Sequence, residues 1–265
     1  KDRGTPILSE KTAAAECFRG GPIKLLRSRF ALFCVVPATS VSAREFLWES
    51  QPTRTHLVDL FTSEGCSSCS TAEAWVSKLK TNARLWKDFV PVAFHVDYWD
   101  NLGWPDRFAA RAWTERQRTY AAASNTATIY TPEFVLDGRE RHGGEIPAAS
   151  VDRPGVLKVS LAEDGIATVS FKPKGAGARS FDVYFATLGF SLNSDVKAGE
   201  NLGRKLQHDF VALSLVKEPM TAGGAEVRTP IDALKQKPNE AGALAVWITE
   251  HGRTEAIQAV GGWLR

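Results

Sequence analysis

The sequence predicts an α/β unit followed by a β-rich one. Three observations carry that expectation. Strand-like and helix-like apolar patterns alternate between about residues 54 and 142. Helical periodicity is nearly absent from about Pro154 onward. Turn signals then separate a series of short alternating runs, the pattern of a β-sandwich-like region. At 265 residues the chain suits one large domain or two small ones and can bury a sizeable core. The expected organisation is a leader over 1–43, an α/β domain over 44–153 and a mostly-β domain over 154–265.

Taken in order, His56-Leu-Val-Asp-Leu-Phe61 is a short apolar run closed by Thr62-Ser-Glu-Gly65, and reads as a buried strand. Ala72, Trp75, Val76 and Leu79 then fall at i, i+3, i+4 and i+7, the apolar stripe of a helix. Val90 to Tyr98 alternates, with His95 and Asp97 on one face and valines and aromatics on the other. A second helix is expected from Pro105, a favoured first-turn residue, to about Ala123. Thr131-Pro132 opens a strand over Phe134–Leu136 that ends in the hairpin signal Asp137-Gly138. Beyond Pro154, strands are expected at Val156–Ala162, Ile166–Phe171, Phe181–Phe190, Phe210–Val216, Ala243–Thr249 and Ala256–Val260, with a surface loop over Lys172–Arg179.

Hydrophobic content of 43% and charged content of 24% mark an ordinary globular chain and exclude a disordered one. The formal net charge is +3, yet residues 1–43 hold seven Lys/Arg and three acids, so acids exceed bases by one from Arg44 onward. The body of the protein has no electrostatic reason to bind nucleic acid. Within the leader, Lys24, Arg27 and Arg29 precede the apolar run Phe30–Ala38, and small residues follow at Val41-Ser42-Ala43. That order is the pattern of a secretory signal. It implies a periplasmic or secreted protein, with no stable membrane insertion once the leader is removed. Cleavage after Ala43 would remove Cys17 and Cys34 and leave Cys66 and Cys69.

The two remaining cysteines stand in Gly65-Cys66-Ser67-Ser68-Cys69, between the first strand and the first helix. A bridge across C-x-x-C closes a tiny loop and removes little chain entropy, so it is a poor staple and points to chemistry. Helix N–H groups and the positive dipole end favour a thiolate. Cys66 is therefore expected to be the more exposed, more acidic attacking thiol, and Cys69 the buried resolving one. Ser67 and Ser68 can donate hydrogen bonds to the thiolate.

These elements, in this order, resemble the thioredoxin-like superfamily over roughly residues 54–142, where a cis proline before a strand faces the C-x-x-C pair. The resemblance implies that Thr131-Pro132 is cis and next to Cys66. It also brings forward Asp59, seven residues before Cys66, where thioredoxins carry a buried proton-accepting Asp six residues before theirs. The stretches "LFTSEGCSSC", "AFHVDYWDNLGWPD" and "TPEFVLDGR", with "GENLGRKLQHDFV" nearer the C-terminus, resemble more narrowly an exported bacterial family of unknown function. The fold class this implies is an α/β thioredoxin-like domain followed by a mostly-β sandwich-like domain.

Three functions stay open on this reading. The first is thiol–disulfide exchange with a protein thiol or disulfide, using Cys66, Cys69, Pro132 and Asp59. The second is a partner-binding module with a non-catalytic C-x-x-C, and the third is copper or zinc handling through the two thiols. His95, Asp97, Trp99, Trp104 and Thr131 are candidates for a substrate groove. The alternative makes His95 and Asp97 a polar pair closing the sheet edge under the tryptophans. No cofactor is expected, and no metal-ligand set is legible, because no histidine is tied to the cysteine pair by spacing.

Overall fold

The computed structural model describes residues 45–174, 179–221, 226–231 and 241–264. The leader reading, with Cys17 and Cys34, lies outside the described residues, as does the middle of the expected 172–179 loop. In chain order the elements are β1 (Phe46–Glu49), β2 (His56–Thr62), α1 (Cys69–Lys78), β3 (Phe89–His95), α2 (Arg111–Ala123), β4 (Glu133–Leu136) and β5 (Arg139–Arg141). There follow β6 (Gly155–Leu161), β7 (Ile166–Pro173), β8 (Phe181–Gly189), β9 (Leu192–Asp195), β10 (Lys205–His208) and β11 (Val211–Met220). The last are β12 (Val227–Pro230), β13 (Ala241–Glu250) and β14 (Ala256–Trp263).

The expected fold class is overturned. Among the described residues the chain is mostly β, with fourteen strands against two α-helices, and no α/β thioredoxin-like domain stands apart from the rest. The reason lies in the strand pairing. One eight-stranded sheet runs β14-β13-β8-β11-β3-β2-β4-β5 and takes strands from both halves of the sequence. The join is between β3 and β11, which are parallel, with the Ala93 N–H donating to the Phe210 carbonyl at 2.8 Å. Sequence patterns locate strands by periodicity, and they carry no signal for partners more than a hundred residues away.

A four-stranded sheet, β1-β6-β7-β12, packs its inner face against part of this large sheet. Leu157, Val159, Leu161, Val169 and Phe171 meet Val183, Phe185, Leu244, Val246 and Ile248 in one apolar cluster. A second cluster holds β2 and β3 between the helices: Leu57, Leu60, Phe61, Phe94, Val76, Trp113 and Tyr120 belong to it. Both faces of β3 are therefore covered. Every residue from Phe89 to His95 is buried, including those read as the polar face of an alternating strand.

Helix α1 buries Cys69, Ala72, Glu73 and Val76, an i, i+3, i+4, i+7 face that includes one acid. Helix α2 begins at Arg111 and not at Pro105. The Asp106 carboxylate accepts the Phe108 and Glu64 N–H groups and so serves the loop and the site in place of starting a helix. The β4–β5 hairpin turns at Asp137 and Gly138, both with positive φ (51° and 88°), as a two-residue type I′ turn requires. No helix among the described residues is long and apolar enough to cross a membrane.

Candidate functional site

Cys66 and Cys69 form a disulfide with a Cα–Cα distance of 5.4 Å. Cys69 is the first residue of α1, and Cys66 lies in the turn before it, whose carbonyl accepts the Cys69 N–H at 3.3 Å. Ser68 holds the N-cap position, where a serine hydroxyl ordinarily accepts an N–H of the first turn. Here it makes no such bond and stands 3.3 Å from Cys66 Sγ. The Thr131 carbonyl is 3.8 Å from the same sulfur, the Thr131–Pro132 bond is cis, and Trp99 Nε1 donates to Thr131 Oγ1 at 2.8 Å. Thus Ser68 and Thr131, whose bond to Pro132 is cis, gather at Cys66. The expected exposure of Cys66 is not found: it is 1% exposed and Cys69 is 0% exposed, while Ser67 and Ser68 between them are exposed.

The segment between β9 and β10 covers this turn. Asn201, buried, donates from Nδ2 to the carbonyls of Glu64 and Cys66 at 2.8 and 3.1 Å. Glu200 accepts the Ser67 N–H at 2.9 Å, and Arg204 reaches Asn201 Oδ1 and Ser70 Oγ. The stretch "GENLGR", part of the resemblance to the exported family, is therefore a wall of the site.

Behind the disulfide lies a buried group of imidazoles and carboxylates. Glu73, one helical turn after Cys69, accepts from His208 Nδ1 at 2.5 Å and from Thr62 Oγ1 at 2.5 Å. His208 Nε2 stands 3.1 Å from Glu64 Oε1, out of line for a hydrogen bond, so both atoms lack a hydrogen-bond partner. His95 Nδ1 meets Asp106 Oδ2 at 2.6 Å, its Nε2 has no partner, and its ring stands edge-on to His208 with centroids 5.0 Å apart. Burial disfavours a charged His208, but the carboxylates of Glu64 and Glu73 on either side outweigh it and lift its pKa to about 10. Burial likewise works against an ionised Asp106, and the His95 contact with two backbone N–H groups overcomes it, holding that carboxyl low. Trp104 Nε1 donates to Glu64 Oε2 at 2.7 Å, which ties Trp104 to this group.

Asp59 is elsewhere. Cross-strand neighbours Thr62 and His95 share the face that carries α1, as the Thr62–Glu73 bond shows. Asp59 and Phe61 face α2 instead: Asp59 Oδ2 accepts from Tyr120 OH at 2.7 Å and from Arg116 Nη2 at 3.0 Å. One residue along a strand reverses the face. The seven-residue spacing to Cys66 thus takes Asp59 away from the pair. Asp97 also leaves His95, accepting Thr114 Oγ1 of α2 at 2.5 Å. The polar pair expected from His95 and Asp97 does not form. Sequence reasoning passed over Glu64, Glu73, Asp106 and Asn201. The available signal was an acid on the apolar stripe of α1, four residues after Cys69.

A family model described as "Protein of unknown function (DUF1223)" matches residues 57–249. The crystal structure of an Agrobacterium tumefaciens protein is similar, with 27% identity and a TM-score of 0.59 over 81% of this chain and 96% of that one. HBP35 of Porphyromonas gingivalis, 12% identical with a TM-score of 0.47 over 80% of this chain and 76% of that one, is too distant to support an argument. None of the curated proteins matches. The chain belongs to the DUF1223 family of unknown function.

Proposed function

We propose that this member of the family exchanges thiols and disulfides at Cys66 and Cys69, outside the cytoplasm. The observation that carries the reading is the disulfide across two residues at the entry of α1, with the Ser68 hydroxyl at the sulfur and not on the helix N–H groups. A loop this short stabilises a fold little, whereas uncapped N–H groups of the first turn favour a nearby thiolate. An oxidising compartment, which the leader reading supports, is where such a pair meets protein thiols.

The step balances without a cofactor. A substrate thiolate attacks Cys66 Sγ, the Cys66–Cys69 bond breaks, and its electron pair leaves on Cys69 as a thiolate that takes up a proton. A second substrate thiolate then attacks the substrate sulfur of the mixed disulfide and releases Cys66. The substrate is oxidised to a disulfide and the pair is reduced to two thiols; the reverse sequence reduces a substrate. Cys66 is covered, so the incoming sulfur enters where the Ser67–Ser68 turn meets the Asn201 segment, and that contact opens first.

Trapping tests this. Cys69→Ser should accumulate a mixed disulfide through Cys66 with a disulfide-bonded peptide at pH 7, releasing the peptide's other half as a thiol, and Cys66→Ser should not. Equal trapping by both variants, or none by either, contradicts the proposal and leaves partner binding as the role of the protein.

A further inference from the structure

We infer that Glu73, His95 and His208 bind a divalent metal ion of the zinc class, buried behind the cysteine pair. One ligand atom from each lies within 4.8 Å of the others, and all three residues are buried. One unsatisfied atom points to a missing partner. His95, its side chain 0% exposed, spends Nδ1 on Asp106 and leaves Nε2 with no hydrogen bond. Buried polar atoms ordinarily find partners, and an imidazole nitrogen left without one beside two other possible ligands marks a site that something else completes.

The surroundings match what a metal-binding histidine needs. Such a histidine commonly turns its other ring nitrogen to a carboxylate outside the ligand set, which fixes the ring and its tautomer. His95 does so with Asp106 at 2.6 Å, and His208 has Glu64 at 3.1 Å from Nε2. The Glu73 carboxylate is steadied by Thr62 Oγ1. Three carboxylates face two imidazoles in this buried volume, and a dication in place of the His208 proton would offset more of their charge. Two nitrogens and a carboxylate oxygen suit zinc, whereas soft copper(I) prefers sulfur. Zinc holds its ligands about 2.0–2.2 Å away, so the ion would replace the proton between His208 Nδ1 and Glu73 Oε2, now 2.5 Å apart, and move those two atoms apart. The ion would join the end of β3, the helix that carries Cys69, and β10.

The inference does not depend on thiol exchange, and its test keeps the two apart. The full chain carrying Cys17→Ser and Cys34→Ser, with its Cys66–Cys69 disulfide closed so that no thiolate is available, is stripped with a chelator, returned to zinc chloride and desalted. Elemental analysis should find about one zinc per chain, and X-ray absorption a shell of nitrogen and oxygen without sulfur. The Cys66→Ser/Cys69→Ser double variant should keep the metal. Asp106→Asn, which preserves shape, should weaken binding about 10–100-fold, and His208→Gln should abolish it. If His208→Gln does not fold, Asp106→Asn and the absorption spectrum decide. Oxidised wild-type protein that retains no zinc, a sulfur-containing shell, loss of zinc in the double cysteine variant, or unchanged affinity in Asp106→Asn each overturns the site.

Discussion

The paired strands β2 and β3 bury charge on both faces, and the two clusters are built on opposite terms. On the α2 face one carboxylate, Asp59, meets one guanidinium, Arg116, inside a box of aromatic rings: Arg116 lies 4.8–5.7 Å from the ring centroids of Tyr120, Trp247 and Tyr184. Burial pushes the Asp59 carboxyl up, Arg116 and Tyr120 oppose that, and Arg116 keeps its proton. On the α1 face Glu64, Glu73 and Asp106 surround His95 and His208, directly behind the disulfide. A balanced pair walled by rings holds a fold together. The acid-rich group beside the disulfide has no such balance.

The largest effect that bears on this contrast is loss of exchange. Cys66→Ala or Cys69→Ala should abolish turnover in a peptide-thiol oxidation assay. Either should cost stability at most about 2 kcal/mol, because the closed loop is so short. A large drop in stability would make the pair a clip and reverse the roles of the two faces.

Next comes Arg116→Met. It leaves Asp59 buried without its cation and should cost about 3–5 kcal/mol in urea unfolding at pH 7, with Cys66 reactivity in the folded protein unchanged. Adding Asp59→Leu should recover much of that loss. If Arg116→Met instead slows exchange at full stability, the α2 cluster belongs to the mechanism after all.

Asn201→Ala should have a smaller effect. It removes the donor to the Cys66 and Glu64 carbonyls and should cost about 1–3 kcal/mol. It should also speed alkylation of the reduced Cys66 thiol, measured by mass spectrometry. Unchanged alkylation would mean that access to Cys66 runs by another route.

Glu133, next to Pro132, should give the smallest effect. Burial pushes its carboxyl up from 4.5 to about 6. The native state therefore holds more protons than the unfolded one between those values, and stability falls as pH rises through that window. Glu133→Gln should flatten the fall and gain about 1 kcal/mol at pH 7, by thermal melts across pH. An unchanged pH profile would mean that Glu133 is solvated.

Much of this was legible in the sequence where a signal is local. The six strands expected beyond Pro154 match β6, β7, β8, β11, β13 and β14 to within a few residues, because alternating burial writes itself into each run. The Asp137-Gly138 turn and the α1 stripe were legible for the same reason. What was hidden is long-range. Val211 pairs with Ala93, and His208 meets Glu73 across 135 residues, and neither leaves a mark in a spacing. Asp59 misled through parity: strand position decides the face, and one residue changed the answer. Short β9, β10 and β12 lack apolar runs of their own and were missed.

The central claim is that the Cys66–Cys69 disulfide is a working bond. Its reduction potential, measured by equilibrating the folded protein in graded glutathione or dithiothreitol buffers and counting free thiols, tests this most directly. A value between about −270 and −120 mV, the range of proteins that exchange disulfides, is predicted. A value below about −300 mV, typical of structural disulfides, would contradict it.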